Sequence, residues 1–322
     1  MSANPTITVL MPAYNVAAYI GEAIQSVLNQ HFADFELVVV DDGSDDATAA
    51  FVEAFNDERI RLIRQEHQGV ATALNNGLAQ ARGSYIARFD ADDICLPDRL
   101  SRQLEFLTAN PEYILCGGNA EYIAAGGEHL FNFYCQSQTH QEIIQQLSKS
   151  CPFIHSAVMY KKEPVLKAGG YAVAALNFED YLLWIQLSSY GKFFNLPEQM
   201  IKVRFNPGSV TIDEKWRGRR FRRLKAAVIR SRSIDTKEGN QLANIIRKQD
   251  KRRIKEGAYY ALCGKKYLVD NYQPQRARTH LSKAIRIYPF RWDNYALYCL
   301  SFFPASFIGW LHRKQSYQTR HD

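Results

Sequence analysis

The stretch Glu36-Leu37-Val38-Val39-Val40-Asp41-Asp42-Gly43-Ser44-Asp45-Asp46 decides the fold. Its first half is a β-branched and aliphatic run, which suits a strand buried on both faces, as in a parallel sheet. It passes without a break into two acids, a glycine and a helix-starting serine, so carboxylates and free backbone N–H groups meet at one point. A carboxylate placed there can accept a hydrogen bond from a nucleobase N–H or a ribose hydroxyl. The plainer reading is a capped turn in which Ser44 or Asp45 starts a helix.

Working outward, Thr6–Leu10 is a second strand-like run, ending in Pro12-Ala13-Tyr14-Asn15. Between the two runs, Ala17–Gln30 places Ile20, Ile24, Val27 and Leu28 at helical spacing. Ser44–Phe55, Arg59–Ile63, Gly69–Ala81 and Ser84–Phe89 continue the alternation of helix and strand. Alternation at this length predicts βαβ units: an α/β domain with a Rossmann-like, mostly parallel sheet flanked by helices. Such sheets bind ligands in the crevice past the carboxyl ends of their strands.

After Pro97 the pattern changes. A helix over Pro97–Ala109 leads to a strand at Tyr113–Gly117 and a hairpin around Gly126-Gly127. His140–Leu147 is helix-like, Phe153–Tyr160 extended, Glu179–Tyr190 helical, and Met200–Phe205 a last short strand. We read residues 1–212 as one domain whose pattern divides it into two halves, 1–97 and 98–212. Residues 213–322 are a basic helical extension with an apolar tail.

Two further acidic clusters carry chemistry. Arg88-Phe89-Asp90-Ala91-Asp92-Asp93 follows a strand, and three acids within four residues repel one another unless something neutralises them. A hard divalent cation, Mg²⁺ or Mn²⁺, does this best, because it takes oxygen ligands and can share substrate phosphates. Asp90, Asp92 and Asp93 are the candidate metal ligands, and apolar Ile86 and Phe89 beside them favour a partly buried site over a solvated acidic loop. Phe178-Glu179-Asp180 opens a helix, where ordinary dipole complementation accounts for acids equally well.

Composition limits the alternatives. With 46% hydrophobic and 23% charged residues the chain is an ordinary globular sequence, not a disordered one. The net charge of +7 is local, since Asp213 to Tyr259 holds 16 Lys+Arg against 6 Asp+Glu. Within it Arg217, Arg219, Arg220, Arg222, Arg223 and Lys225 are a solvated helix face or a contact for an anionic membrane surface; no stacking platform or base-reading motif points to nucleic acid. Six scattered cysteines, with no Cys-x-x-Cys pair, read as free thiols of a reducing compartment. Met1–Pro5 has no secretory character, so the expected location is cytoplasmic, peripheral on the inner face of the cell membrane. Tyr295–Leu311 is apolar but short and interrupted by Pro304; with Trp292, Trp310, Arg313 and Lys314 near its ends it suits an interfacial helix or one that packs on the core.

Taken in order, P-x-Y-N, D-D-G-S-x-D, G-V-A-x-A-L-N-x-G, A-R-F-D-A-D-D, H-S-A-V-M, G-G-Y and E-D-Y-x-L-W resemble the family 2 glycosyltransferases of GT-A fold, from about Thr6 to Thr211. The resemblance implies a nucleotide-sugar donor (a UDP-sugar first), a saccharide or lipid-linked acceptor, and roles for particular residues. Pro12, Tyr14, Asn15 and Asp42 would hold the nucleotide, with Asn75 and Arg88 near the donor. Asp90 and Asp92 would form the D-x-D pair on ribose and metal, with Asp93 beside them. Asp180 matches the family's catalytic base and Glu179 is its rival; His155 and Arg204 are weaker acceptor-side candidates. Val203 stands where relatives often carry Tyr, and Gln186 where Arg is frequent. A sugar nucleotidyltransferase is the alternative enzyme, but that class needs a Gly-rich basic loop after the first strand, which Pro12–Asn15 is not. A non-catalytic nucleotide-sugar or membrane-binding module sits poorly with intact acids at Asp92 and Asp180.

Overall fold

The structure is a computed structural model, and it describes residues 4–208, 218–249, 252–304 and 306–309. Strands β1 (Ile7–Ala13), β2 (Phe35–Asp41), β3 (Ile60–Arg64) and β4 (Tyr85–Arg88) alternate with helices α1 (Ile20–Leu28), α2 (Thr48–Glu53) and α3 (Val70–Gln80). They are followed by β5 (Ile94–Cys95), α4 (Arg99–Ala109), β6 (Tyr113–Ile123), β7 (His129–Phe133) and α5 (His140–Leu147). A single 3-10 turn at His155–Ala157 precedes β8 (Met159–Lys161), α6 (Lys162–Lys167), α7 (Glu179–Leu187) and β9 (Lys192–Arg204). The remaining elements are α8 (Arg219–Ser231), α9 (Thr236–Gln249), α10 (Arg252–Val269), α11 (Pro274–Ile287) and α12 (Trp292–Leu300).

Among the described residues the strands form one sheet in the order β3-β2-β1-β4-β8-β6-β9-β5, with β7 on β6. β1 to β4 pair in parallel, whereas β4–β8, β6–β8 and β5–β9 are antiparallel. Every residue of β1 and β2 is buried, which is why these strands read as continuous apolar runs and not as alternating ones. The chain order reverses between β1 and β4, and at such a switch point the loops after the strands part to leave a crevice. Pro12–Asn15 and Phe89–Asp93 are those loops. α3 lies close on β1 and β2 because position 77 is glycine: a Cβ there would come within 2.2 Å of Leu10 Cδ1 and 2.9 Å of Val40 Cγ2. Glu36, 1% exposed, ties these strands together, accepting from Thr8 Oγ1 (2.7 Å), Arg61 Nη1 (2.8 Å) and Arg82 N and Nε (2.6 and 2.7 Å). Burial opposes its charge, but these donors prevail and hold its pKa below the usual glutamate value.

Several boundaries differ from the sequence expectation for local reasons. α2 starts at Thr48 and not at Ser44, because the Asp46 carboxylate takes the Thr48 N–H (2.9 Å) and the Ala17 N–H (3.1 Å), while Ser44 Oγ accepts from Asn15 N (3.0 Å). The short strand expected at Met200–Phe205 is the end of a longer one, β9, which begins straight after Gly191. Asn195 lies fully buried within it and donates Nδ2 to Ser137 O (2.8 Å) and Pro152 O (3.1 Å).

The described residues divide into two compact units. One comprises those within Met1–Ala120, Phe133–Val203 and Arg219–Asn244; the other those within Glu121–Asn132, Arg204–Gly218 and Ile245–Asp322. The division expected near Ile212 falls outside the described residues, as do Arg217, Trp310, Leu311, Arg313 and Lys314. α8 groups with the sheet: Phe221, fully buried, meets the Phe178 ring edge-on at 6.2 Å, and Gln186 Nε2 donates to Arg232 O at 3.0 Å. Its arginines 219, 220, 222 and 223 stay exposed. In the second unit, Gly264 lets α10 and α11 meet closely, since a Cβ there would lie 2.6 Å from Leu281 Cγ. Lys266 stands 3.9 Å over the Phe131 ring of the β6–β7 hairpin. No helix among the described residues is long and apolar enough to cross a membrane. All six cysteines are free, four of them buried.

Candidate active site

At the carboxyl ends of β1 and β2 the two loops lock together. Asn15 adopts a left-handed backbone (φ 51°), directs its N–H to Ser44 Oγ and accepts from Asp45 N at 3.0 Å. Gly43, at φ 74°, brings the turn so close to His67 N that a side chain would not fit. Asp42, 3% exposed, accepts from Gln65 Nε2 (2.6 Å), Gln68 N (2.9 Å) and Gly69 N (2.8 Å), and His67 Nδ1 lies 2.9 Å from its Oδ2. Four donors fill the lone pairs of that carboxylate, so it orders the Gln65–Gly69 loop that leads into α3. The ring of Tyr14, 43% exposed, stacks on His67 with centroids 4.0 Å apart. A flat, half-open aromatic surface therefore lies next to the buried acid. His67 is part of it, and no motif in the sequence marks it.

At the end of β4 the three acids diverge. Phe89 and Ala91 are buried, and Asp90 and Asp92 are half-buried. Asp90 Oδ2 meets Arg88 Nη1 at 2.5 Å. Asp93, 2% exposed, accepts a hydrogen bond from the Ser156 hydroxyl. Among the described residues no three His, Cys, Asp or Glu side chains are grouped as a metal cage. A small hard cation does not require such a cage: it is commonly held by one or two carboxylates together with substrate phosphates. Asp92 and Asp90 fit that arrangement, while Asp93 faces inward and supports the loop.

Arg88 is 3% exposed, with Nε lacking a hydrogen-bond partner. Burial works against its charge, but Asp90, by attraction and by hydrogen bonding, then Tyr171 and Asp93, hold its pKa above the usual value. Arg99, also buried, braces the same strand end by donating Nη2 to Arg88 O (2.6 Å) and Val158 O (3.1 Å).

The third group is the first turn of α7. Asn177 (φ 69°) and Phe178 deliver Glu179 and Asp180 at the helix N-terminus, where carboxylates are favoured. Asp180 is half-buried, accepts from Tyr181 N at 2.7 Å, and has Cys151 Sγ 3.9 Å from Oδ2. Glu179 is 8% exposed and its Oε2 lacks a hydrogen-bond partner. Burial first, then the neighbouring Asp180 charge, push its pKa up to about 7, while Arg88 pulls it the other way. Beneath them Tyr171 O–H lies 3.2 Å from both His155 Nε2 and Tyr160 O–H, against fully buried Trp184. Burial, reinforced by Arg88, holds His155 well below the ordinary histidine range, so its ring is neutral at pH 7.

Most of the residues singled out in the sequence thus fall in one unit, on the loops after β1, β2 and β4 and the start of α7. Asn75 engages the Gly169-Gly170-Tyr171 turn: Nδ2 donates to Tyr171 O and Oδ1 accepts from Tyr171 N, both at 2.8 Å. Arg204 belongs to the other unit, where it donates Nη1 to Ala125 O at 3.0 Å and holds the β6–β7 turn.

The family model described as glycosyl transferase family 2 matches residues 8–166. A glycosyltransferase of Haemophilus influenzae is 32% identical over 60% of this chain and 73% of its own length. The O-antigen biosynthesis glycosyltransferase WbnJ of Escherichia coli is 32% identical over 62% of this chain and 80% of its own. The amylovoran biosynthesis glycosyltransferase AmsE of Erwinia amylovora is 32% identical over 61% and 74%. Among solved structures, S. aureus TarS 1–349 in complex with UDP-GlcNAc superposes with a TM-score of 0.57 at 16% identity, covering 88% of this chain and 89% of that one. The mannosyltransferase PcManGT from Pyrobaculum calidifontis, in complex with GDP-Man and Mn²⁺, gives 0.54 at 19% identity over 98% and 85%.

Proposed function

Since the chain belongs to the family 2 glycosyltransferases, we propose that it moves a sugar from a nucleoside-diphosphate sugar to an acceptor hydroxyl in one inverting displacement. The observation that carries this reading is the gathering, in one unit, of the Tyr14–His67 ring stack, the Arg88–Asp90 pair with Asp92 after β4, and half-buried Asp180 at the start of α7.

In this reading the Tyr14–His67 surface stacks the nucleobase, and Asp42 keeps the loop beneath it in place. Asp92, with Asp90, would hold Mg²⁺ or Mn²⁺, which would supply positive charge where negative charge develops on the leaving group. Asp180 accepts the acceptor hydroxyl proton while that oxygen bonds to the anomeric carbon. The bond from that carbon to the diphosphate breaks, and its electron pair leaves with the nucleoside diphosphate. No enzyme nucleophile forms a bond. Neutral His155 and Tyr160 fix Tyr171 without adding a second cation beside Arg88.

We take a UDP-sugar as donor and a saccharide or lipid-linked glycan as acceptor, in line with the relatives named for O-antigen and amylovoran biosynthesis and with a solved neighbour that binds UDP-GlcNAc. A lipid-linked acceptor would bring the enzyme to an anionic membrane surface. Thermal shift of the full chain tests the donor class. A nucleotide sugar with Mn²⁺ at about 100 times its Kd should add roughly 2.7 kcal/mol of stability, and chelator should remove most of it. Stabilisation only by a nucleoside triphosphate with a sugar 1-phosphate would favour a nucleotidyltransferase instead.

A further inference from the structure

The apolar stretch Tyr295–Leu311 does not form one helix. Its first part completes α12, which ends at Leu300, and Ile308, beyond Pro304, is turned inward at 1% exposure. α12 buries Asn294, and Ser301 just after it is anchored by Arg278 Nη1 on its carbonyl at 2.7 Å. The opposite face is open and almost wholly apolar. Trp292 is 85% exposed, Tyr295 37%, Phe302 63% and Phe303 50%, with Ala296 and Cys299 exposed between them and Phe290, 85% exposed, just ahead. Positions 292, 295, 296 and 299 fall at helical spacing on α12, so they make one stripe roughly 10 Å long, with Phe302 and Phe303 just past the helix end. The one acid on this face, Asp293, is neutralised by a two-point pair with Arg291 at 2.7 and 3.0 Å.

A contiguous aromatic face of this kind, left in water, marks an interaction surface. Its surroundings choose the partner. From Pro274 to Gly309 the sequence has five Lys+Arg (Arg276, Arg278, Lys283, Arg286 and Arg291) against the single Asp293. Across 245–322 it has 16 Lys+Arg against 5 Asp+Glu. A second copy would set these cations against its own across a two-fold interface, whereas anionic headgroups complement them. Tryptophan and tyrosine at the edge of an apolar stripe suit the headgroup level of a bilayer.

We propose that the outer face of α12, with Phe290, Phe302 and Phe303, beds into the interface of an anionic bilayer while the cations of the surrounding sequence supply the attraction to the headgroups. For its purpose this rests on the reading of a membrane-borne acceptor, but the observation stands apart from the transfer site. Of the two segments that the sequence offered for a membrane contact, it selects the apolar one and not the exposed arginines of α8.

The test is co-sedimentation of the full chain with vesicles of phosphatidylcholine containing phosphatidylglycerol, and with pure phosphatidylcholine, at low and high salt. The wild type should sediment with the anionic vesicles, less so as salt rises, and little with the neutral ones. The double variant Trp292→Ser/Phe302→Ser alters exposed side chains only, so it should keep the donor-induced thermal shift and lose at least tenfold in vesicle partition. Equal partition of variant and wild type, no sedimentation of the wild type, or a dimer that the same substitutions dissolve overturns the proposal. Vesicle binding without any donor shift in the wild type would instead remove the transferase reading and leave this one standing.

Discussion

Asp180→Asn should lower sugar transfer by roughly 10²–10⁴-fold, the range a positioned base contributes, which is about 3–5 kcal/mol of barrier. The substitution keeps side-chain volume and the acceptor for the Tyr181 N–H, seen at 2.7 Å, so the helix start survives. Donor affinity should change little, because the residue acts on the acceptor proton. Glu179 is the serious rival. Its pKa of about 7 is better matched to proton transfer at neutral pH than that of an ordinary carboxylate. Access decides against it: Glu179 is 8% exposed and faces the protein, whereas Asp180 is half-open to an incoming hydroxyl.

Glu179 instead sets the charge beside the base. Below about pH 7 it holds a proton and leaves Asp180 as the single anion; above it, two like charges share the helix start. Its raised pKa also means that its protonated form favours the folded state, and this contribution fades as pH rises from the usual glutamate range through about 7. Glu179→Gln should therefore retain transfer and flatten the pH–rate profile near neutrality. If Glu179→Gln is dead and Asp180→Asn active, the base is one residue earlier. If both are active, no base acts here.

Asp92→Asn should reduce the affinity for nucleoside diphosphate in Mn²⁺ by at least about 10–100-fold, the scale on which metal sites respond to disturbed ligation. More telling, the ratio of affinities with Mn²⁺ and with chelator, measured by calorimetry, should fall close to one. Asp93→Asn is the informative contrast. Asp93 is buried on Ser156, so its loss should lower thermal stability while the metal ratio persists. If Asp93→Asn erases the metal effect and Asp92→Asn does not, the pair that holds the cation is misassigned.

The contrast between Asp92 and Asp93 also shows where sequence reading succeeds and where it stops. The βαβ half was legible because β1 and β2 are buried from end to end, so their apolar runs carry no competing pattern. Three acidic clusters were legible because each lies within a few residues at the end of a strand or the start of a helix. What each acid does depends on partners far along the chain. Ser156 reaches Asp93 across 63 residues, and Tyr171 engages both ends of the Asn75 amide across 96. Hence Asn75, expected near the donor, proves to be a clamp on a turn. His67, which carried no motif, completes the stack on Tyr14. β9 was cut short because proline and asparagine ordinarily end regular structure; here buried Asn195 donates Nδ2 to two carbonyls, Ser137 O and Pro152 O, and Asn119 Nδ2 donates to Pro197 O at 2.5 Å. The face of α12 was hidden for the opposite reason. Periodicity shows that the segment is apolar, but only packing shows which side is left over.

The central claim is a single displacement assisted by Asp180, with no covalent sugar–enzyme intermediate. The most direct measurement is the anomeric configuration of the new glycosidic linkage in the product, read by NMR coupling at the anomeric position. An α-linked nucleotide sugar should yield a β-linked product, and this inversion should persist in whatever residual activity Asp180→Asn retains. A product of retained configuration would contradict the account and would require a different path at the anomeric carbon.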